Sequence, residues 1–172
     1  MIELELQGEY VMDFFCRRKD GLGYREVKNN AVTSDLFIPA DLKEFLKESS
    51  RVSWNNLLKR SDYNGDEQKL IRDIMDDIRR KIETSANVAI FLNSTTKNKP
   101  YSFGGETLKL LYVSGTELRG DEDFEKNIFS AVEEMTYSFH HEGKRIFAFR
   151  PDLSFFINGI FLGYAELKSN FT

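Results

Sequence analysis

The sequence holds a single cysteine, Cys16, and only two histidines, the adjacent His140 and His141. One thiol excludes an internal disulfide and every cysteine-rich zinc site, and neighbouring histidines on a strand point to opposite faces, so they make at most a crude metal patch. No apolar run approaches the roughly 20 residues that a membrane span requires. The first residues carry Glu3 and Glu5 where a secretory signal would be basic. These absences lead to the expectation of a cytoplasmic protein with no membrane partner. An excess of positive charge is also missing, with 24 Lys and Arg against 28 Asp and Glu and a net charge of −4. Such a field repels a polyanion, so any nucleic-acid partner must be held with help from elsewhere.

What is present is the make-up of a folded domain. The chain is 41% hydrophobic and 13% aromatic, whereas disordered chains lack aromatic and β-branched residues. Its 172 residues favour one domain over positions 1–172, enough to bury roughly 70% of the surface of the unfolded chain. No fixed-period repeat interrupts it.

Hydrophobic spacing gives the elements. Leu6, Tyr10, Val11, Phe14 and Phe15 recur at helical intervals before Gly21 and Gly23, which predicts a first helix over about residues 3–19. Leu42, Phe45 and Leu46 behind Pro39 and Asp41, and Trp54, Leu57 and Leu58 behind a Ser53 cap, predict two short helices. Leu70, Ile71, Ile74, Met75, Ile78 and Ile82 form the strongest stripe, with Asp66 placed to cap the free amides of the first turn. The continuous apolar run Val88–Leu92 reads as a strand buried on both faces, and Leu108–Val113 is a further strand candidate. Asn93–Glu106, with Pro100, Gly104 and Gly105, reads as a loop. Phe124, Ile128, Phe129, Val132 and Met135 predict a helix begun by Asp121 or Asp123, followed by strands at Thr136–His140 and Arg145–Phe149. The fold class is α/β or α+β. Cys16 reads as a small packing residue, and the basic clusters Arg17-Arg18-Lys19 and Lys97–Lys99 read as solvated.

Chemistry concentrates between Arg150 and Lys168, where two apolar strands flank Asn158-Gly159, a hairpin signal. A two-residue turn pairs Ile157 with Ile160 and Asp152 with Ala165, and a metal site then needs a bulge. A three-residue loop with Gly159 left-handed pairs Phe156 with Ile160, Asp152 with Tyr164 and Arg150 with Glu166. The second register is favoured here, because it puts Asp152, Glu166 and Lys168 on one face and Leu153, Phe155, Phe161, Ala165 and Leu167 on the other. Two carboxylates at a diagonal spacing of roughly 7 Å reach one cation. Magnesium accepts such hard oxygen ligands, joined by a carbonyl such as that of Leu167, and a lysine beside it orients or deprotonates the attacking water. The chemistry implied is phosphodiester hydrolysis. The competing structural account is a solvated strand-end ion pair worth at most about 1 kcal/mol. Arg150 either contacts a phosphate or pairs with a nearby acid.

Pro151-Asp152 followed by Glu166-Leu167-Lys168 resembles the PD-(D/E)xK nuclease motif. The longer string Arg150-Pro151-Asp152-Leu153, apolar residues, Asn158-Gly159 and Glu166-Leu167-Lys168 resembles the N-terminal endonuclease region of the restriction (motor) subunit of type I restriction-modification enzymes. The resemblance is tight over 150–169 and looser upstream, and residues 85–135 carry none of it. It implies a restriction-endonuclease-like core with a mixed sheet flanked by helices, Mg2+ or Mn2+ held by Asp152 and Glu166, and Lys168 assisting water. A first-helix acid joins the metal shell in such nucleases, for which Glu9 is the candidate, with Glu5 behind it. The implied partners are double-stranded DNA and the methyltransferase and specificity subunits. ATP serves only the family's motor region, and no Gly-x-x-x-x-Gly-Lys string occurs in this chain. The family's Gln-x-x-x-Tyr motif would follow Thr172, so the chain reads as an N-terminal fragment. Two other readings compete: a non-catalytic interaction module of the same fold, and a nuclease of this motif acting on branched or damaged DNA.

Overall fold

The computed structural model describes residues 9–97, 100–113, 121–141 and 144–167. Helix α1 runs through residues 9–17, and its last turn, Asp13–Arg17, is a π-turn closed by the Arg18 N–H on the Asp13 carbonyl. There follow β1 (Arg25–Glu26), α2 (Pro39–Ser49), α3 (Arg51–Leu58), α4 (Glu67–Glu83) and α5 (Val88–Lys97). A small hairpin, β2 (Ser102–Phe103) and β3 (Glu106–Thr107), precedes β4 (Phe129–Glu133), β5 (Tyr137–His141), β6 (Lys144–Phe149), β7 (Leu153–Ile157) and β8 (Ile160–Ala165). The main sheet has the order β1-β4-β7-β8, with β1 parallel to β4 and the other neighbours antiparallel, while β5 and β6 form a separate ribbon. This is a mixed α/β fold, as the sequence led one to expect.

β7 sits inside the sheet and is covered on both sides. Leu153 packs with Met12 of α1 and Ala131, whereas Phe156 packs with Ile38, Val132 and Tyr137. The largest cluster joins α2, α3, α4 and α5 to Ile157 and Ile160 at the turn end of the last hairpin. α4 follows its sequence signature: the Asp66 Oδ1 accepts the N–H groups of Gln68 and Lys69, both at 3.0 Å, and Leu70, Ile71, Ile74 and Ile78 are buried. α2 is locked to the sheet by charge. Asp41 is only 2% exposed, accepts from Arg25 Nη1 and Ser130 Oγ at 2.6 Å each, and so ties α2 to β1 and β4.

Five expectations are corrected. Val88–Leu92 opens helix α5, with Asn87 Oδ1 accepting the Ile90 N–H; Phe91 and Leu92 are buried and Ile90 is exposed, a one-sided pattern that a five-residue run cannot reveal. The helix persists into the polar residues expected to be loop, because Ser94, Thr95 and Thr96 return their hydroxyls to carbonyls one turn back. Residues 108–113 form no strand and are pinned by side chains instead, Lys109 N–H on Ser50 Oγ and Tyr112 N–H on Asn127 Oδ1. That use of Ser50 goes with α3 beginning at Arg51, ahead of the expected Ser53 cap. The helix expected over 124–135 is a 3-10 turn, Asp121–Lys126, followed by β4, whose Ser130, Ala131 and Val132 are all buried because neighbours cover both faces.

Candidate active site

The last hairpin turns at Asn158-Gly159, both left-handed (φ 50° and 76°), and Ile157 pairs with Ile160 and Phe156 with Phe161. This is the two-residue turn with positive φ at both centres, and the three-residue loop favoured from the sequence does not form. The reason is burial. Asn158 exchanges backbone and side-chain bonds with Ile128 and donates Nδ2 to the Leu110 carbonyl and Asn127 Oδ1, both at 2.9 Å. Gly159 lies under the start of α2, where a Cβ would come within 2.4 Å of the Ile38 carbonyl oxygen.

Farther from the turn the register shifts: Phe155 faces Gly163, Ser154 faces Tyr164 and Leu153 faces Ala165, so Leu162 is the extra residue of a β-bulge. One inserted residue reverses the alternation, and the ladder ends at the Leu153–Ala165 pair, with Asp152 and Glu166 the residues just beyond it on the two strands. Leu153, Phe155, Ala165 and Leu167 pack toward α1, whereas Phe161, expected with them, lies on the other side of the bulge and packs with Phe156.

Backbone bonds hold this end of the sheet. Asp152 Oδ2 accepts the Leu167 N–H at 2.5 Å, and the Asp152 carbonyl accepts the Glu134 N–H at 2.9 Å. Among the described residues Asp152 Oδ1 has no partner, and Glu166 is exposed. Glu134 follows the last residue of β4, and Asp152 precedes the first residue of β7. Arg150 pairs with the Glu134 carboxylate, not with the Glu166 to which the favoured register assigned it. Glu134 itself is left-handed (φ 51°), and its carbonyl accepts from Asn29 Nδ2 at 3.2 Å.

The other acids gather on the face that α1 covers. Burial pushes the Glu133 carboxyl up, and the negative charges of Glu134, Glu26 and Glu9 add to that push against the lowering effect of Arg17. The Glu9 charge thus reaches Glu133 together with those of Glu134 and Glu26. An open cleft of about 450 Å³ lies between Met12, Glu26 to Asn30, Glu133 and Glu134. Lys168 lies outside the described residues. Among the described residues no three His, Cys, Asp or Glu side chains converge as a metal cage. Asp152, oriented by a backbone amide, and the exposed Glu166 are hard oxygen donors of the kind a divalent cation that keeps most of its waters accepts.

A family described as type I restriction enzyme R protein N terminus matches residues 20–172. The chain belongs to that family. No curated protein and no solved structure matches it. The match spans the region 85–135 that motif reading had left blank, and it includes the 150–168 string on which the resemblance was built. No described helix is long and apolar enough to cross a membrane.

Two residues of this R-protein domain escaped sequence reasoning. Asn158 was taken as a turn residue, yet it is wholly buried and fastens the hairpin to Asn127 and Leu110. Glu134 fell inside an expected helix and carried no signal beyond its place after a run of buried residues.

Proposed function

We propose that this domain is the DNA-cleaving part of a type I restriction enzyme, hydrolysing phosphodiester bonds of double-stranded DNA at the Asp152–Glu166 face. Support comes from the family to which the chain belongs and from the bulge at Leu162, which brings Leu153 opposite Ala165 at the open end of the β7–β8 ribbon, next to Asp152 and Glu166. Asp152 is aimed by the Leu167 N–H, which occupies Oδ2 and leaves Oδ1 for a cation. A bound Mg2+ or Mn2+ would supply Lewis acidity toward a phosphoryl oxygen and a water of lowered pKa. Asp152 and Glu166 hold the ion from two strands, the Leu167 carbonyl is the third proposed protein ligand, and Lys168 orients the attacking water or takes its proton. Glu9 stands on the α1 face and contributes to the negative field of the neighbouring cleft. Arg150 stands at the rim for a DNA phosphate.

An acidic domain of this kind relies on others to hold DNA. In this reading a specificity subunit recognises the sequence, a methyltransferase subunit marks self, and an ATP-driven motor delivers the duplex. In the assembled restriction enzyme, Asp152→Ala is expected to abolish cleavage while ATP hydrolysis continues. Cutting that survives the substitution overturns the reading. The non-catalytic alternative draws on the exposed Leu162 and Tyr164 beside Phe149, and it predicts that Asp152→Ala leaves cutting intact while Leu162→Asp weakens assembly.

A further inference from the structure

Resting on that reading of Asp152, the geometry points to Glu134 as a positioning residue that keeps the Arg150 guanidinium away from the cation-binding carboxylate. Three observations meet here. Glu134 follows the end of β4, its backbone N–H meets the Asp152 carbonyl just before β7, and Arg150 stands two residues before Asp152 in the sequence. Arg150 is nevertheless engaged by Glu134. Glu134 holds a left-handed backbone (φ 51°), a conformation that costs a non-glycine residue free energy, while its N–H holds the Asp152 carbonyl and its own carbonyl is held by Asn29.

The turn thus carries a carboxylate where glycine or asparagine would suit the backbone better. What that carboxylate does is capture a guanidinium whose nearest acid in the sequence is Asp152. An arginine paired with Asp152 would compete with a divalent cation for the same oxygen, by charge and by geometry. Glu134 removes that competitor without touching the ion.

The test is Mn2+ titration of the 172-residue chain, followed by manganese relaxation enhancement, with folding checked by circular dichroism. Glu134→Gln, which keeps the side-chain shape, is expected to weaken Mn2+ binding about tenfold, the size typical of losses outside the ligand shell. Adding Arg150→Gln to that variant restores affinity to nearly the starting value, and raising the salt concentration shrinks the defect of the single variant. A merely structural role for Glu134 gives no rescue by the second substitution, and a direct ligand role gives a double variant as weak as the single one; either result overturns the inference. Unchanged binding in Glu134→Gln also overturns it, provided that Asp152→Asn loses binding. If Asp152→Asn binds Mn2+ normally, the metal-site reading fails first and the inference with it.

Discussion

Asn158 Nδ2 donates to Asn127 Oδ1 at 2.9 Å, a buried bridge that fastens the tip of the β7–β8 hairpin to the segment leading into β4. The same side chain serves Ile128 and Leu110, and the backbone beneath it is left-handed. Asn158→Gly keeps the backbone conformation and loses the bonds. It is expected to cost about 2–4 kcal/mol, because several buried donors and acceptors are left unpaired. Asn158→Asp should be at least as damaging, since its second oxygen would face the Leu110 carbonyl and Asn127 Oδ1. Urea unfolding of the two variants measures both losses, and a cost within error of zero for Asn158→Gly rejects the anchoring role.

Deletion of Leu162 tests the register directly. Without the extra residue every position beyond it changes face, so Glu166 moves to the side of α1 and Leu167 to the other. Leu162→Ala trims a side chain that is 40% exposed and leaves the bulge in place. Metal binding should be lost in the deletion and kept in Leu162→Ala, with the substitution costing under about 1 kcal/mol. Equal binding in both variants means that the bulge does not set the site.

These two cases show why the site was partly legible in the sequence. The acids Asp152 and Glu166 announce themselves by spacing around a turn signal, and any register of the right parity puts them on one face. The turn type and the register were not legible, because a bulge leaves no mark in the pattern: Leu162 looks like one more apolar strand residue. Asn158 looked like ordinary turn chemistry for a similar reason, since nothing local says that the tip of a hairpin will be buried under α2. The long helix α4 was legible because its stripe runs from Leu70 to Ile82 and Asp66 caps it, whereas five apolar residues at Val88–Leu92 fit a strand or a helix equally well. Residues 124–135 were misread because β4 is buried on both faces and has no alternation to display.

Asp41→Ala probes how the helical layer is held to the sheet. The substitution strands the buried Ser130 hydroxyl and leaves Arg25, still partly exposed, with Glu44 alone. The expected loss is about 2–3 kcal/mol, below that for a fully buried ion pair because Arg25 reaches solvent. Glu44→Ala, which removes only the exposed partner, should cost less than about 1 kcal/mol. Thermal unfolding of the two variants gives the comparison, and equal losses would mean that Asp41 acts as a surface charge.

The acids around α1 give opposite pH dependences. The Glu133 pKa is raised by burial and by its acidic neighbours, so its contribution favours the folded state below the ordinary carboxylate range and is lost as pH rises through the raised value. Glu26 is lowered by Arg17, so its contribution is present above the ordinary range and is lost as pH falls through the lowered value. Glu133→Gln should therefore raise Tm at about pH 7 and Glu26→Gln should lower it, the first difference fading as pH falls into the ordinary carboxylate range and the second persisting to lower pH. The same sign for both variants at neutral pH contradicts this account.

Burial pushes the Cys16 thiol up to about 11, with the Glu26 carboxylate adding to the rise and Arg17 opposing it. At about pH 8 such a thiol is roughly 0.1% thiolate, and since the thiolate is the reacting species, alkylation by iodoacetamide should be roughly a hundredfold slower than for an exposed cysteine. Glu26→Gln removes a negative charge and leaves Arg17, which is held by Glu26 at 2.7 Å, paired with Asp13 alone. Both changes lower the thiol pKa, so the alkylation rate should increase, with its pH profile shifted to lower values. Access alone would leave the profile in place and change only the rate. A rate unchanged by Glu26→Gln and rising only on partial unfolding would show that the packing around Cys16, and not the charge of Glu26, controls the thiol.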